Sequence, residues 1–335
     1  MEKEISDRIW ATRYLMVIGI IILHLPPYQP LNELGYSFFE YIKAFFSHGV
    51  FRATVPVLTV MSGFLIFNSG LQLKPKKLFS KKVNTIFVPL IICNLPLAIA
   101  VFFIQKYSIL NHDFSAQLYP FVISHWLNAI TGLFGSPINY PLNFLRDLFV
   151  ISLLSPILWQ LLKRAPYAGL LIVLVVYYLN LDGNLILRNS MLVSFYIGAL
   201  AAHQKWDLTL LDKYSVFLLG LFFTTCASIV IFKIADKELF RLISPFMVWP
   251  AMSLMMNTKL SWLLLKYARH SFFTFLTHGP IILVLWLIFN KVTPDLPYLI
   301  YWLIAPVIAV FLSVLLNKYF KIITPRMHTF ILGGR

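Results

Sequence analysis

The chain has 335 residues, 59% of them hydrophobic and only 12% charged, with a net charge of +15. Soluble domains carry about 25% charged residues, so this composition excludes a soluble globular protein and predicts an integral membrane one. Its two cysteines, Cys93 and Cys226, lie in separate apolar runs, which argues against a disulfide and against a cysteine metal centre.

Hydropathy predicts an all-α, polytopic fold of about ten transmembrane helices. They fall at 9–28, 47–68, 84–105, 143–162, 167–181, 189–204, 214–233, 239–257, 271–290 and 297–318, in one transmembrane domain over residues 1–335. The first run carries Arg13 and no small-residue cleavage site, so it reads as a retained helix and not a signal peptide. The fifth and sixth runs are short and are expected to tilt or to sit inside the bundle. Segment 118–134 is aromatic but interrupted by Ser124, His125 and Asn128, which predicts a helix along the membrane surface.

With ten spans both termini share one side. Lys and Arg concentrate at the termini and in the even-numbered loops, as in Lys74, Lys76, Lys77, Lys81, Lys82, Lys163 and Arg164. That excess places both termini in the cytoplasm. The same distribution accounts for the basicity through the bilayer, and no nucleic-acid partner is expected.

Arg13 and His24 stand eleven residues apart in the first span. Eleven residues is close to three helical turns, so both side chains project from nearly one face, separated by roughly 16 Å along the axis. Ionisable groups inside a membrane are costly and mark functional sites by default. Pro26 and Pro27 stop the helix just after His24, which sets the imidazole at a mouth on the outer side. A histidine titrating near neutrality suits a general base that removes a proton from a hydroxyl.

The second run reads Phe51-Arg52-Ala53-Thr54-Val55-Pro56, then Met61-Ser62-Gly63-Phe64-Leu65. Arg52 enters at the outer end, level with His24 in this topology. Pro56 cannot donate to the Arg52 carbonyl, so the helix is expected to loosen there. Ser62 and Gly63 allow close approach by a helix or a ligand chain. Further on, Arg146 begins the fourth span beside Asp147. Adjacent helical positions point about 100° apart, so the two are not expected to pair with each other. Arg146 is instead expected to converge with Arg52 and His24, as a cationic pocket for an oxyanion or an anionic sugar. A second histidine, His278, falls within the ninth span.

No phosphate-binding Walker loop, HExxH, GxSxG or paired Cys/His spacing is present, and no metal is expected. The residues alone leave two readings. One is a membrane enzyme acting through His24. The other is a transporter or flippase of a lipid-linked or anionic solute, with the arginines as binding groups and His24 as gate or proton carrier. Few carboxylates lie in the spans, which weighs against a proton-coupled transporter.

These segments resemble acyltransferase family 3, integral membrane proteins that modify bacterial glycans. The likeness lies in Arg-x10-His (Arg13 to His24), in Arg-x3-Pro followed by Ser-Gly-Phe-Leu (Arg52, Pro56, Ser62 to Leu65), in Phe-Leu-Arg-Asp-Leu-Phe-Val at 144–150, and in Leu-x-His-x-Pro at 276–280. It spans about residues 7 to 320. Asn143 and the Thr59-Val60 pair depart from the family's usual aromatics, which bears on the acceptor more than on the chemistry.

The resemblance implies a multi-pass enzyme of the bacterial inner membrane with acyl-CoA, acetyl-CoA first among them, as co-substrate. It implies a glycan or lipid-linked saccharide as acceptor. CoA phosphates would sit near Arg13 and Lys74, Lys76 and Lys77, with the pantetheine arm reaching toward His24. His24 would act as general base, or would itself carry the acyl group, while Arg52 and Arg146 stabilise the oxyanion. Ser62 and His278 would face the substrate.

Overall fold

The computed structural model describes residues 2–109, 116–183, 185–292 and 295–334, and among them the fold is all-helical. In chain order the helices are α1 (Lys3–Leu23), α2 (Phe38–Asn68), α3 (Pro75–Lys106), α4 (Ile123–Thr131), α5 (Tyr140–Arg164) and α6 (Pro166–Tyr178). Then come α7 (Ser190–His203), α8 (Asp212–Ile231), α9 (Glu238–Met255), α10 (Lys259–Val292), α11 (Tyr298–Ile323) and α12 (Pro325–Ile331).

Six of these, α2, α3, α5, α8, α10 and α11, are long and apolar enough to cross a membrane, against the ten runs read from hydropathy. The difference has identifiable causes. The shorter apolar helices α6 and α7 are the fifth and sixth expected spans. The first and eighth are helices too, but Glu4, Asp7, Arg8 and Arg13 dilute α1, and Glu238, Arg241, Pro245 and Pro250 dilute α9. Helix α1 also ends at Leu23, short of the expected 28, with His24 as its cap.

The chain forms two compact units interleaved in sequence: Met1–Ser69 with Val193–Val314, and Gly70–Leu192 with Leu315–Arg335. In the first unit α1 packs against α2, α9 and α10. Its last turns join Ile282, Tyr301, Ala305 and Ala309 in a buried cluster through Ile21 and Leu25. Lipid tails are as apolar as leucine, so helices in a membrane associate through close packing more than through exclusion of water. The glycines show this directly. A Cβ on Gly63 would collide with the Phe195 carbonyl, and one on Gly198 with the Val60 carbonyl. The notch read at Ser62-Gly63 is therefore filled by α7.

Helix α2 changes pitch as it enters. Phe45–Gly49 form a widened π-type turn, Val50–Ala53 a tight 3-10 turn, and regular α-helix begins at Thr54. The loosening expected at Pro56 lies one to two turns earlier. Pro56 itself occupies the first turn of the regular helix, where proline is tolerated.

In the second unit α3 packs against α4. Asn94, fully buried, donates to the Ile130 carbonyl at 3.0 Å and accepts from the Asn139 amide at 3.0 Å. Ala98, Val101, Leu118 and Ala129 make the core beneath. Segment 118–134 thus contains the expected short helix, with Ile123 and Leu127 exposed along it.

Candidate functional site

Helix α1 is continuous from Lys3 to Leu23, so Arg13 and His24 belong to one helix and its cap. At 1.5 Å per residue their separation is about 16 Å along the axis. Arg13 is half-buried with its guanidinium 5.6 Å from the Trp10 ring centroid. No carboxylate pairs with it among the described residues.

His24 is half-buried, and its Nδ1 lies 2.8 Å from the Ile20 carbonyl. A carbonyl only accepts, so Nδ1 carries the hydrogen of the neutral ring and Nε2 is left with the basic lone pair. The turn after it is pinned by Tyr298, whose hydroxyl donates to the Pro26 carbonyl at 2.8 Å. His278, on α10, stands beside it with ring centroids 5.7 Å apart. Its Nδ1 lies 2.7 Å from the Phe275 carbonyl, and its Nε2 is buried with no hydrogen-bond partner among the described residues. An unsatisfied buried acceptor costs about 1–3 kcal/mol. The His278 side chain is fully enclosed, so the substrate contact expected of it is not made in this conformation.

Arg52 lies in the tight turn of α2, where its Nε donates to the Ser47 carbonyl at 3.1 Å. That turn packs against α1. The Ser62 hydroxyl donates to the Leu58 carbonyl of its own helix at 2.7 Å, a bond that leaves it a poor substrate donor.

Arg146 and its neighbour correct the sequence reading. The two do pair: Arg146 Nη1 donates to Asp147 Oδ1 at 2.9 Å, both side chains being buried. Two loops make this possible by closing over the start of α5. Arg146 also donates from Nε to the Gly132 carbonyl at 3.0 Å and from Nη1 to the Leu185 carbonyl at 2.5 Å. Asp147 accepts from the amides of Leu187 and Arg188, each at 3.1 Å. The long arginine arm reaches the neighbouring carboxylate, which a 100° rule for Cα directions does not anticipate. Arg146 belongs to the second unit, whereas Arg13, His24 and Arg52 belong to the first. Lys74, Lys76 and Lys77, also of the second unit, are exposed at the start of α3.

Three groups escaped the sequence reading. Arg8, near the start of α1, is 1% exposed and grips Asp212 with both terminal nitrogens, at 2.9 and 2.6 Å. It also lies 5.1 Å from the Trp249 ring centroid. The only hint in sequence is a cation on the same helix one turn and more before Arg13. His48 is buried, donating from Nε2 to the Gln29 carbonyl at 2.8 Å, its Nδ1 without a partner among the described residues. Lys237, outside the spans, is held below the ordinary lysine value by burial and then by Arg52.

The first unit also holds an apolar cavity of about 120 Å³ lined by Val57, Met61, Phe64, Trp206, Trp249 and Pro250 among others. The rest of the lining is apolar too, apart from Asp207, its one ionisable residue.

Over its whole length the chain is similar to the succinoglycan biosynthesis protein ExoH of Rhizobium meliloti (strain 1021), 28% identical over 354 residues, covering 100% of this chain and 94% of the relative. No solved structure matches it. The acyltransferase domain family model matches residues 8–318, a stretch that takes in Arg13, His24, Arg52, Arg146 and His278. With that match across nearly its full length, the chain belongs to acyltransferase family 3.

Proposed function

We propose that this protein moves an acyl group, acetyl in the first instance, from cytoplasmic acyl-CoA to a hydroxyl of an extracytoplasmic or lipid-linked glycan. The acceptor class takes support from the relative's name, which places that protein in succinoglycan biosynthesis. The observation that carries the reading is the tautomer of His24, fixed by the Ile20 carbonyl so that Nε2 is the base. In the ten-span topology both termini are cytoplasmic and His24 opens outward, in a bacterial inner membrane.

Each group then has a task. Arg13 binds the donor's anionic end, and Lys74, Lys76 and Lys77 add positive charge for its phosphates. The extended pantetheine arm covers the roughly 16 Å between Arg13 and His24. His24 Nε2 takes the proton of the acceptor hydroxyl as the oxygen forms its bond to the thioester carbon. Arg52 stabilises the oxyanion. Collapse breaks the carbon–sulfur bond, and the proton on His24 passes to the thiolate to give free CoA. One helix holding both ends of the donor supplies proximity and orientation.

The test is acyl-CoA turnover by purified protein with a glycan fraction as acceptor, wild type beside His24→Asn. Free CoA and acylated glycan from wild type alone support the reading. A folded wild type that neither binds nor consumes acyl-CoA sinks it and returns attention to transport.

A further inference from the structure

His24 and His278 are bonded alike. Each ring gives its Nδ1 hydrogen to a carbonyl of its own helix, Ile20 in one case and Phe275 in the other. Each therefore turns a hydrogen-free Nε2 to the remaining surroundings. For His278 those surroundings are closed: the residue is 0% exposed and Nε2 finds no donor among the described residues. The rings packed on it are Phe275, which has no polar hydrogen, and His24, at 5.7 Å between centroids and tilted by 57°. A buried acceptor without a donor calls for an explanation.

Two neutral imidazoles bonded in this way cannot hydrogen-bond to each other, since both Nε2 atoms are acceptors. That changes once His24 accepts a proton. Its Nε2 then bears a hydrogen, and the His278 ring, with its lone pair, is its neighbour at 5.7 Å between centroids.

We propose that His24 and His278 act as an imidazole pair in which His278 Nε2 accepts a hydrogen bond from the protonated His24 while the tetrahedral intermediate exists. The inference rests on His24 as general base. The acceptor's proton moves from oxygen to His24 Nε2, is held there by His278, and leaves to sulfur as the carbon–sulfur bond breaks. His278 gains and loses no proton and touches no substrate, so it is a positioning residue. Its orphaned nitrogen is the empty half of a hydrogen bond that forms only during the reaction, which is the kind of interaction that raises kcat and leaves KM alone.

The experiment compares His278→Asn and His278→Gln with wild type and His24→Asn in the same acyl-CoA turnover assay. Asparagine keeps a side-chain N–H for Phe275 but has nothing at the position of Nε2; glutamine reaches that position with an amide oxygen. The expected result is a kcat lowered about 10- to 100-fold in His278→Asn, the rate equivalent of one hydrogen bond to a charged group. KM for acyl-CoA and glycan stays unchanged, and His278→Gln recovers part of the loss. Wild-type kcat in folded His278→Asn overturns the pairing. So do equal losses in both variants, or a loss that appears in KM. Should His278→Asn fail to fold, the kcat of His278→Gln decides: near wild type supports the pair, a full loss overturns it. Inactive wild type, or active His24→Asn, would instead overturn the general-base reading itself.

Discussion

Two kinds of buried polar cluster can be compared in this molecule. At Arg146–Asp147 the charges are closed off: the guanidinium serves a carboxylate and loop carbonyls, and the carboxylate collects two backbone amides besides. Around His24 and His278 each ring has one nitrogen committed to backbone and the other left basic by tautomer. A closed cluster ties loops to a helix and has no capacity to spare. An open one bears a cost in the resting state and has a bond in hand when charge moves.

The sharpest way to break this comparison is His24→Asn. It should lower turnover by about 100-fold to 10,000-fold, the usual contribution of a general base, while the thermal midpoint in detergent stays near wild type. An inactive variant that also unfolds early would mean the open cluster is structural after all. Next comes Asp147→Ala, which strands the buried Arg146 and should destabilise by about 3–5 kcal/mol. Denaturation midpoints and folded yield would report it, and intact stability would remove Arg146 from the closed class.

Smaller in effect is Arg8→Ala, which removes the grip on Asp212. Because Asp212 is 22% exposed, water relieves part of the loss, and about 1–3 kcal/mol is expected. A double change of Arg8 and Asp212 to apolar residues should recover much of it, since replacing both partners is often near neutral. Least is Ser62→Ala. Its hydroxyl already serves Leu58, so stability should move by under about 1 kcal/mol and acceptor KM should not change. A marked rise in KM would restore Ser62 as a substrate contact.

Much of the architecture was legible because membrane spans are long and apolar, and six of the ten runs became helices long and apolar enough to cross a membrane. The candidate pair stood out for a related reason: Arg13 and His24 interrupt an otherwise lipid-like run at a helical spacing. Helices α1 and α9 carry charges and prolines that pull them below a spanning average, so length and composition alone leave them outside the six. Arg8 was hidden because its partner, Asp212, is 204 positions away. The Arg146–Asp147 pair was hidden because loops at Gly132 and Leu185–Arg188 complete it, and no local periodicity announces a loop folding back. The His278 contact with His24 likewise depends on packing between helices far apart in sequence.

The widened turn at Phe45–Gly49 has a consequence for any relative of this chain. A π-type turn holds one residue more than an α-turn over the same rise, so removing a single residue there would restore regular pitch. Because the extra residue is taken up within that one turn, the helix faces on either side would keep their register. His48 would lose the Gln29 carbonyl it now bonds, while Arg52, Pro56 and the Ser62-Gly63 pair would stay in sequence untouched. A chain shorter by one position in this turn would carry every signature residue on the same faces and differ only around His48, a change that the motifs themselves do not register.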